Sequence, residues 1–441
     1  MRNIPRKSAE NIIENDKLYK QIAPKYVQLI DDLSRKYKVT EDAYFSELVN
    51  FKQNKEIPKH SWFIYKQGYS ESLVKELILR EKPSKKYYVL DPFSGVGTTN
   101  VVAQSLGYRS IGFDINPVAT FAATVKTSHF SDSEIAEIRH YIKNFIPRKS
   151  NAIPDSPLLV KSFSNKTFDS LMSVKGFCEN LSNKKVSNFF KLAYLSIVEA
   201  CSNRLKDGNG IKIAKNKKTI NDVSGLFLKK AAMMLSDLSS SNYSQNALIV
   251  DGSLNNDFKE IRDKKIGIVI FSPPYANCFD YCEVYKMELW MGDFVQAYGD
   301  FKQYRDLAVR SHVNATFNHA VKHKNPKVDL IADMVSCFNV WNKNIPDMIR
   351  GYFDDMTQIY EKLYATMVKG SKCFIVIANS GYRGILVPTD LLFADIGKQI
   401  GFKNVDIIHA RKMRASSQQM KELNGRYGTL MRESIVVLEK I

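Results

Sequence analysis

Residues 87–114 restrict the fold of this chain more than any other segment. An apolar run at residues 87–90 leads into a glycine-containing turn, residues 98–106 have the pattern of a helix, and a second apolar run covers residues 110–113. A strand, a tight turn, a helix and a second strand at this spacing are typical of a βαβ unit in an open parallel sheet. We therefore predict an α/β fold.

The apolar pattern divides the rest of the chain into three parts. Further strand-like runs occur at residues 247–250, 266–271, 371–377 and 433–438, and helical patterns occur at residues 70–80 and 392–400. Residues 127–245 break the strand rhythm, and we interpret them as a mostly helical insertion. We predict an N-terminal helical, charged segment (1–59), a Rossmann-like α/β domain with helices on both faces (60–126 and 246–441) and the helical insertion (127–245).

Composition narrows the class of protein. The 64 Lys and Arg against 46 Asp and Glu give a net charge of +18, which favours a polyanionic partner such as nucleic acid. No apolar run approaches the length of a membrane span, and no apolar segment follows the first six residues as in a secretory signal. The six cysteines include no CxxC pair, so we expect no zinc site and a reduced, cytoplasmic setting.

The turn after the first strand has the composition of a ligand-binding loop. Gly95 and Gly97 permit backbone conformations closed to other residues and let a ligand approach the main chain. Asp114 ends the next strand, where a carboxylate can accept both hydroxyl hydrogens of a ribose. The run is not GxGxxG, and Asp91 would repel a dinucleotide pyrophosphate, so a cationic cofactor suits it better. The alternative is a tight turn that binds no ligand.

A proline corner follows the strand at residues 266–271. Its residues are Ser272, Pro273, Pro274 and Tyr275. The exocyclic amine of cytosine or adenine is a poor nucleophile, because its lone pair is delocalised into the ring. Ser272 Oγ and the Pro273 carbonyl would accept the two amine hydrogens from a backbone that the prolines keep rigid. Tyr275 would stack on a base swung out of the duplex. The alternative is an ordinary proline-rich loop.

These two runs, in this order, resemble the S-adenosylmethionine-dependent amino-methyltransferases of DNA, and within them the SPPY (cytosine-N4-specific) group. That family has a DPFxGxGTT-type cofactor loop and an SPPY corner. The resemblance covers roughly residues 60–125 and 247–441 and includes residues 281–292, 310–313 and 414–437. It implies that the α/β domain is the catalytic domain, that S-adenosylmethionine is the cofactor, and that the insertion is a possible DNA-recognition region.

The resemblance also assigns roles to residues that match the family motifs. It places around the methionine part of the cofactor the loop residues Asp91, Pro92, Phe93, Gly95, Gly97, Thr98 and Thr99. Asp114 would hold the ribose, Ile115 would contact the adenine, and Asp251 would lie near the adenine amino group. Phe63 would pack on the other side of the cofactor. The corner, from Ser272 to Tyr275, would handle the target base.

Four functions are compatible with these motifs. The first is a methyltransferase making N4-methylcytosine in duplex DNA, as the protective half of a restriction–modification system with a cognate restriction endonuclease. Ser272 favours cytosine, since related adenine enzymes more often have Asp or Asn there; adenine-N6 methylation is the runner-up. The others are an RNA amino-methyltransferase and an inactive DNA-binding relative. No Pro-Cys dipeptide occurs, which argues against methylation at cytosine C5.

Two basic segments, both interpreted as loops, are candidate DNA contacts. The first contains Arg204, Lys206, Lys215, Lys217 and Lys218, and the second contains Arg411, Lys412 and Arg414. A solvated charged face explains either one equally well. His319 and His323 are four residues apart with His312 upstream, but no Glu follows His319 as an HExxH metal site would require.

Overall fold

The structure is a computed structural model that describes residues 15–65, 68–207, 210–218, 220–238, 246–314, 320–412 and 427–441. Its strands are β1 Val39–Glu41, β2 Tyr88–Asp91, β3 Ser110–Asp114, β4 Arg204–Asp207, β5 Gly210–Ile213, β6 Ala247–Asp251, β7 Ile266–Phe271, β8 Met367–Ala378, β9 Ser380–Tyr382, β10 Ile385–Val387, β11 Lys403–Lys412 and β12 Arg432–Glu439.

The helices of the first half are α1 Asp16–Lys36, α2 Ala43–Leu48, α3 Glu71–Glu81, α4 Thr98–Ser105, α5 Pro117–Thr127, α6 Asp132–Lys143, α7 Pro157–Val160, α8 Asn165–Glu179, α9 Lys184–Cys201 and α10 Val223–Leu238. Those of the second half are α11 Tyr281–Val284, α12 Lys286–Met291, α13 Asp300–Leu307, α14 Pro326–Ser336, α15 Ile345–Thr366 and α16 Thr389–Ile400.

A mostly parallel sheet of eight strands forms the centre of the fold. Its order is β1-β11-β12-β8-β7-β2-β3-β6. β12 runs antiparallel to both of its neighbours, and the other strand pairs are parallel. The α/β prediction with helices on both faces is therefore confirmed, and the sheet is Rossmann-like.

Both faces of the sheet are buried, as parallel sheets require. On one face, α1, α14, α15 and α16 pack over alternate residues of the strands, among them Val269 and Phe271 of β7. On the other, α2, α3 and α4 cover the intervening residues, such as Ile268 and Ile270. This is why residues 266–271 form a continuous apolar run rather than an alternating one.

Local signals in the sequence set several helix ends. Ser70 caps α3, its hydroxyl accepting a hydrogen bond from the Leu73 amide at 3.2 Å. Ser131 and Glu134 form a capping box at the start of α6. Each of these polar side chains satisfies an amide that the first turn of the helix leaves without a partner.

Three features differ from the sequence-based expectation. Residues 39–41 lie within the supposed helical segment but form edge strand β1 beside β11. β11 itself was not predicted, because its charged residues obscure the apolar pattern. Residues 204–207 and 210–213, interpreted as part of a loop, form the antiparallel strand pair β4–β5, since backbone pairing does not require an apolar sequence.

The insertion shares a hydrophobic core with the α/β domain. Side chains of α8, α9 and α10 join those of α5 and of residues 279–301 in one cluster. Phe189 of the insertion, for example, packs edge-on against Trp62 with the ring centroids 5.8 Å apart. Packing is therefore continuous across residue 127, and the domain boundary there stays a prediction.

Candidate active site

A cavity of about 330 Å³ opens at the carboxyl ends of the parallel strands. Residues that follow β2, β3, β6 and β7 line one side of it, namely Pro92, Phe93, Gly95, Asp114, Ile115, Asn116, Gly252, Ser253, Ser272 and Pro274. Ligands bind at this edge in open α/β sheets, because the loops there diverge from the sheet. The glycine turn and the proline corner are thus brought to one cavity.

The glycine turn follows β2 and starts α4. Gly95 has φ +49° and Gly97 has φ +79°, both in the left-handed region that favours glycine. A Cβ on Gly95 would lie 3.3 Å from the Tyr65 ring, and a Cβ on Gly97 would lie 2.8 Å from the Cβ of Ala123 in α5. Gly95 therefore leaves room at the cavity wall, whereas Gly97 permits close packing between helices.

Asp91 is fully engaged inside the protein. Its carboxylate accepts hydrogen bonds from the Tyr69 hydroxyl at 2.6 Å and from the Phe93 amide at 3.0 Å. The same Tyr69 hydroxyl lies 2.6 Å from the hydroxyl of Thr99. Burial raises the pKa of Asp91 to about 6. Asp91 and Thr99 thus fix the shape of the turn from behind it.

Asp114, at the end of β3, faces the cavity. Its two carboxylate oxygens accept the amides of Gly95 and Asn116, at 2.9 and 2.8 Å. Each oxygen has a second lone pair that can accept a further hydrogen bond. Burial raises the pKa of Asp114 to about 6, so the group is ionised at neutral pH. This carboxylate is placed to receive two hydroxyl groups.

Asp251 lies beside Asp114 but outside the cavity wall. The two residues are register partners on β3 and β6. Asp251 is exposed, and its carboxylate accepts the Thr120 hydroxyl at 3.3 Å. The residues that follow it, Gly252 and Ser253, line the cavity instead. Asp251 itself does not line the cavity, and its predicted position near the adenine amino group stays a prediction.

A smaller cavity of about 40 Å³ adjoins the main one. Phe63, Thr98 and Ser272 line it, together with Phe93 and Gly95, which are shared with the main cavity. The buried Phe63 ring lies 6.3 Å from that of Tyr285. Phe63 is thus brought to the site from a segment nearly 30 residues before the glycine turn.

The proline corner starts where β7 ends. Pro273 is buried, whereas Ser272 and Tyr275 are half-buried. Both cavities reach Ser272, so its side chain stands at their junction. The Tyr275 hydroxyl donates a hydrogen bond to Glu433 on β12 at 2.7 Å. Burial, followed by Glu433, raises the pKa of Tyr275 well above its ordinary value, so the phenol keeps its proton.

Comparisons with known proteins agree with this geometry. Residues 6–123 match the model of the N6/N4 DNA methylase family. The type II methyltransferase M.BsoBI of Geobacillus stearothermophilus is 29% identical over 95% of this chain and 91% of its own. M.AvaI of Nostoc is 23% identical over 86% of each chain, and M.MvaI of Kocuria varians is 23% identical over 94% of this chain and 95% of its own.

The chain is similar to DNA amino-methyltransferases over most of its length. It is a DNA methyltransferase of the N6/N4 family and of the restriction–modification type, and its cofactor is S-adenosylmethionine.

The cavity walls of the methyltransferase fit that cofactor. Besides the Asp114 carboxylate, four buried polar atoms of residues along the walls have no hydrogen-bond partner in the described part of the chain: Ser94 Oγ, Asn116 Nδ2, Ser253 Oγ and His312 Nδ1. Apolar side chains of Ile115 and Leu254 lie between the polar groups. A mixed wall of this kind suits a nucleoside with a charged amino-acid tail.

Sequence reasoning missed the residues on the opposite wall of the main cavity. Arg310 is buried and pairs with Asp354 and Asp355 of α15, each at 2.6 Å. The Ser311 carbonyl accepts the Cys278 amide at 3.1 Å, which ties this loop to the proline corner. Burial lowers the pKa of His312, so its ring is neutral. The family-like run at residues 310–313 was the only signal in the sequence for this wall.

Several of the predicted DNA-binding residues of the methyltransferase are committed elsewhere. Lys206 is buried between Glu199 and Glu288, and Lys217 donates to two backbone carbonyls, so neither can serve a phosphate without rearrangement. Arg204 donates to Ser162 Oγ at 3.1 Å. Contacts within the protein thus engage these three side chains, whereas Lys215 and Lys218 are exposed, and DNA contact by this segment stays a prediction.

The structure also changes the interpretation of the second basic segment. Arg411 and Lys412 lie on β11 and not in a loop, and Arg411 pairs with Glu433. Arg414 lies outside the described residues, as does His319. Within the described ranges, no three His, Cys, Asp or Glu side chains are grouped to hold a metal ion. None of the described helices has the length and apolar character needed to cross a membrane.

Proposed function

We propose that this methyltransferase transfers a methyl group to the N4 amino group of cytosine in duplex DNA, within a short recognition sequence. We further propose that it protects that sequence from a cognate restriction endonuclease, as expected of a relative of type II methyltransferases.

The observation that carries the proposal is the position of Ser272. It starts the corner at the carboxyl end of β7 and lies where the two cavities meet. A serine hydroxyl can accept one amine hydrogen while donating its own proton elsewhere. The SPPY form of the corner favours cytosine over adenine, for which Asp or Asn is more usual at this position.

The cofactor would occupy the two adjoining cavities. Asp114 would accept the ribose hydroxyls, and Ile115 would contact the adenine, with Asp251 near its amino group. The methionine part would lie by the turn from Pro92 to Thr98 and against Phe63 in the smaller cavity, while Asp91, Gly97 and Thr99 would support that turn. When bound, S-adenosylmethionine supplies an electrophilic methyl group on its sulfonium sulfur.

The corner would make the amine a better nucleophile. Ser272 Oγ and the Pro273 carbonyl would each accept one N4 hydrogen, which favours a tetrahedral nitrogen with a localised lone pair. Because both acceptors are held by the proline backbone, little reorganisation accompanies the reaction. The nitrogen would bond to the methyl carbon as the bond from that carbon to sulfur breaks, leaving a neutral thioether, and the methylated amine would release one proton to solvent. No covalent bond to the protein is needed. Pro274 would keep the corner rigid, and Tyr275 would stack on the extruded base.

The experiment that tests this function is methylome sequencing of DNA from cells expressing the protein, together with mass spectrometry of its nucleosides. We expect N4-methylcytosine at one short sequence. N6-methyladenine without N4-methylcytosine would replace cytosine by adenine as the target. A parallel assay with labelled cofactor on duplex DNA and on RNA separates DNA methylation from RNA methylation, and we expect label in DNA alone.

A further inference from the structure

We propose that Glu433 is a positioning residue for the reaction: its buried carboxylate holds the Tyr275 hydroxyl and so fixes the Tyr275 ring where the extruded base stacks. This inference rests on the proposed function, since it takes the Tyr275 ring to be the surface that receives the base.

The sheet topology brings Glu433 to the corner. β12 runs antiparallel to β8, so its first residues lie beside the carboxyl ends of β8 and β7, where the corner begins. Glu433 is the register partner of Ala378 at the end of β8 and of Arg411 on β11. A residue near the end of the chain is thus placed against a motif 158 positions earlier.

The carboxylate of Glu433 is fully used by two partners. Its Oε1 accepts the Tyr275 hydroxyl at 2.7 Å, and its Oε2 accepts Arg411 Nε. Glu433 is only 4% exposed, whereas the Arg411 side chain is 37% exposed. A buried carboxylate needs such partners to offset the loss of its hydration. The Arg411 pair therefore holds the acceptor in place for the tyrosine.

The hydrogen bond from Tyr275 to Glu433 restricts rotation of the Tyr275 ring. A tyrosine side chain turns about two torsions, and Tyr275 is only half-buried, so packing alone holds it incompletely. Fixing its hydroxyl sets the ring plane before a base arrives, which lowers the cost of ordering at the reaction step. Tyr275 does not line either cavity, so this effect should fall on the DNA and not on the cofactor.

A purely structural role is the alternative. In that case Glu433 and Arg411 form a cross-strand pair that stabilises β11 against β12, and the contact with Tyr275 is incidental. The two roles differ in what the conservative variant does. Glu433→Gln keeps an oxygen acceptor for Tyr275 but loses the charge that pairs with Arg411.

The test is steady-state transfer of labelled methyl groups to unmethylated bacteriophage DNA by Tyr275→Phe, Glu433→Ala, the double variant and Glu433→Gln. We expect each of the first two to lower kcat by about tenfold, the effect of losing one hydrogen bond to a charged group. The double variant should be no worse than either single variant, because both remove the same bond. Glu433→Gln should recover most of the rate, and KM for the cofactor should stay unchanged.

Controls separate this outcome from a folding defect. Binding of S-adenosylhomocysteine should match the wild type for Tyr275→Phe, and its melting temperature should fall by no more than a few degrees, since the buried carboxylate loses one partner but keeps Arg411. Arg411→Met removes the ion pair but keeps the tyrosine bond, so its kcat should fall less than that of Glu433→Ala. Additive losses in the double variant, or a Tyr275→Phe rate equal to the wild type, would overturn the inference.

The same assay keeps this inference distinct from the proposed function. It counts methyl groups on any base, so a finding of N6-methyladenine overturns the cytosine proposal and leaves the coupling between Tyr275 and Glu433 intact. Tyr275→Ala serves as the reference for the corner itself. An undiminished rate there would overturn the stacking role in the proposed function, and a large loss there without loss in Glu433→Ala would overturn only the positioning role.

Discussion

Asp91 and Asp114 show how surroundings give two similar residues different tasks. Both end neighbouring parallel strands, and burial raises the pKa of each to about 6. Asp91 is held by Tyr69 behind the turn, whereas Asp114 accepts only backbone amides and faces the cavity. The sequence identified both aspartates. Their different roles, one supporting the turn and one facing the cavity, depend on Tyr69, which no motif indicated.

Cofactor affinity should depend on pH through Asp114. A protonated carboxyl donates at one oxygen and cannot accept both ribose hydroxyls, so binding requires the ionised form. With a pKa of about 6 in the free protein, the dissociation constant of S-adenosylhomocysteine should rise about tenfold from pH 7 to pH 5. Isothermal titration calorimetry at both pH values measures this. Asp114→Asn should bind weakly at pH 7 and lose the pH dependence; a flat wild-type profile would argue against the ribose contact.

Substitutions in the proline corner should lower methyl transfer without weakening cofactor binding. Combined Ser272→Ala and Pro273→Ala substitution removes one acceptor and loosens the backbone that carries the other. We expect methyl transfer to fall by a factor on the order of a hundred to a thousand, as when a preorganised hydrogen-bonding group is lost. Affinity for S-adenosylhomocysteine, measured in parallel, should change little. Activity close to that of the wild type would contradict the assigned role of Ser272 and Pro273.

At the scale of elements, the join between β2 and α4 determines the shape of the site. Gly97 caps α4 in a left-handed conformation and lies against α5. The need for glycine there could be predicted from the sequence, but its cause could not. The cofactor role that we assigned to Gly97 stays a prediction, and the structure adds a close contact with α5, which only the tertiary structure could reveal.

Substituting Gly97 should therefore cost stability as well as activity. In Gly97→Ala the new Cβ would lie 2.8 Å from the Cβ of Ala123 and the backbone would keep φ +79°. We expect the free energy of unfolding to fall by about 2–4 kcal/mol from strain plus overpacking. Gly370→Ala is the matched control, with φ +77° and no atom within 4 Å, and should lose only about 1–2 kcal/mol. Urea denaturation of both variants measures the difference. Equal losses of unfolding free energy would mean that α5 moves to accommodate the new Cβ.

At the scale of the whole molecule, side chains of α5 and of α10 both hold the segment at residues 59–63. Lys126 of α5 donates to the backbone carbonyls of His60 and Phe63, and Lys230 of α10 donates to that of Ser61. Asp237 of α10 accepts the Lys59 amide and the Trp62 indole. The segment that carries Phe63 is therefore held by both parts of the chain, and burial lowers the pKa of Lys59 and of Lys126 to about 7.

Stability should consequently rise with pH just above neutrality. Between pH 7 and 10.5 these lysines are neutral in the folded protein and protonated when unfolded, so the unfolded state binds more protons. Lys59 and Lys126 should each add about 1.4 kcal/mol to the free energy of unfolding per pH unit within this window. We expect a higher melting temperature at pH 8.5 than at pH 7, and a smaller difference in Lys126→Met. No change between the two pH values in the wild type would show that these amines stay charged when buried.

The sequence by itself determined the parallel sheet, the glycine turn, the proline corner and the family, because each depends on local residue types at fixed spacing. Only the tertiary structure decided that residues 39–41 and β11 extend the sheet, that Lys206 and Arg411 are paired, and that Glu433 reaches Tyr275. Those features join residues far apart in the chain. The sequence does not indicate whether a charged side chain contacts solvent or a buried partner.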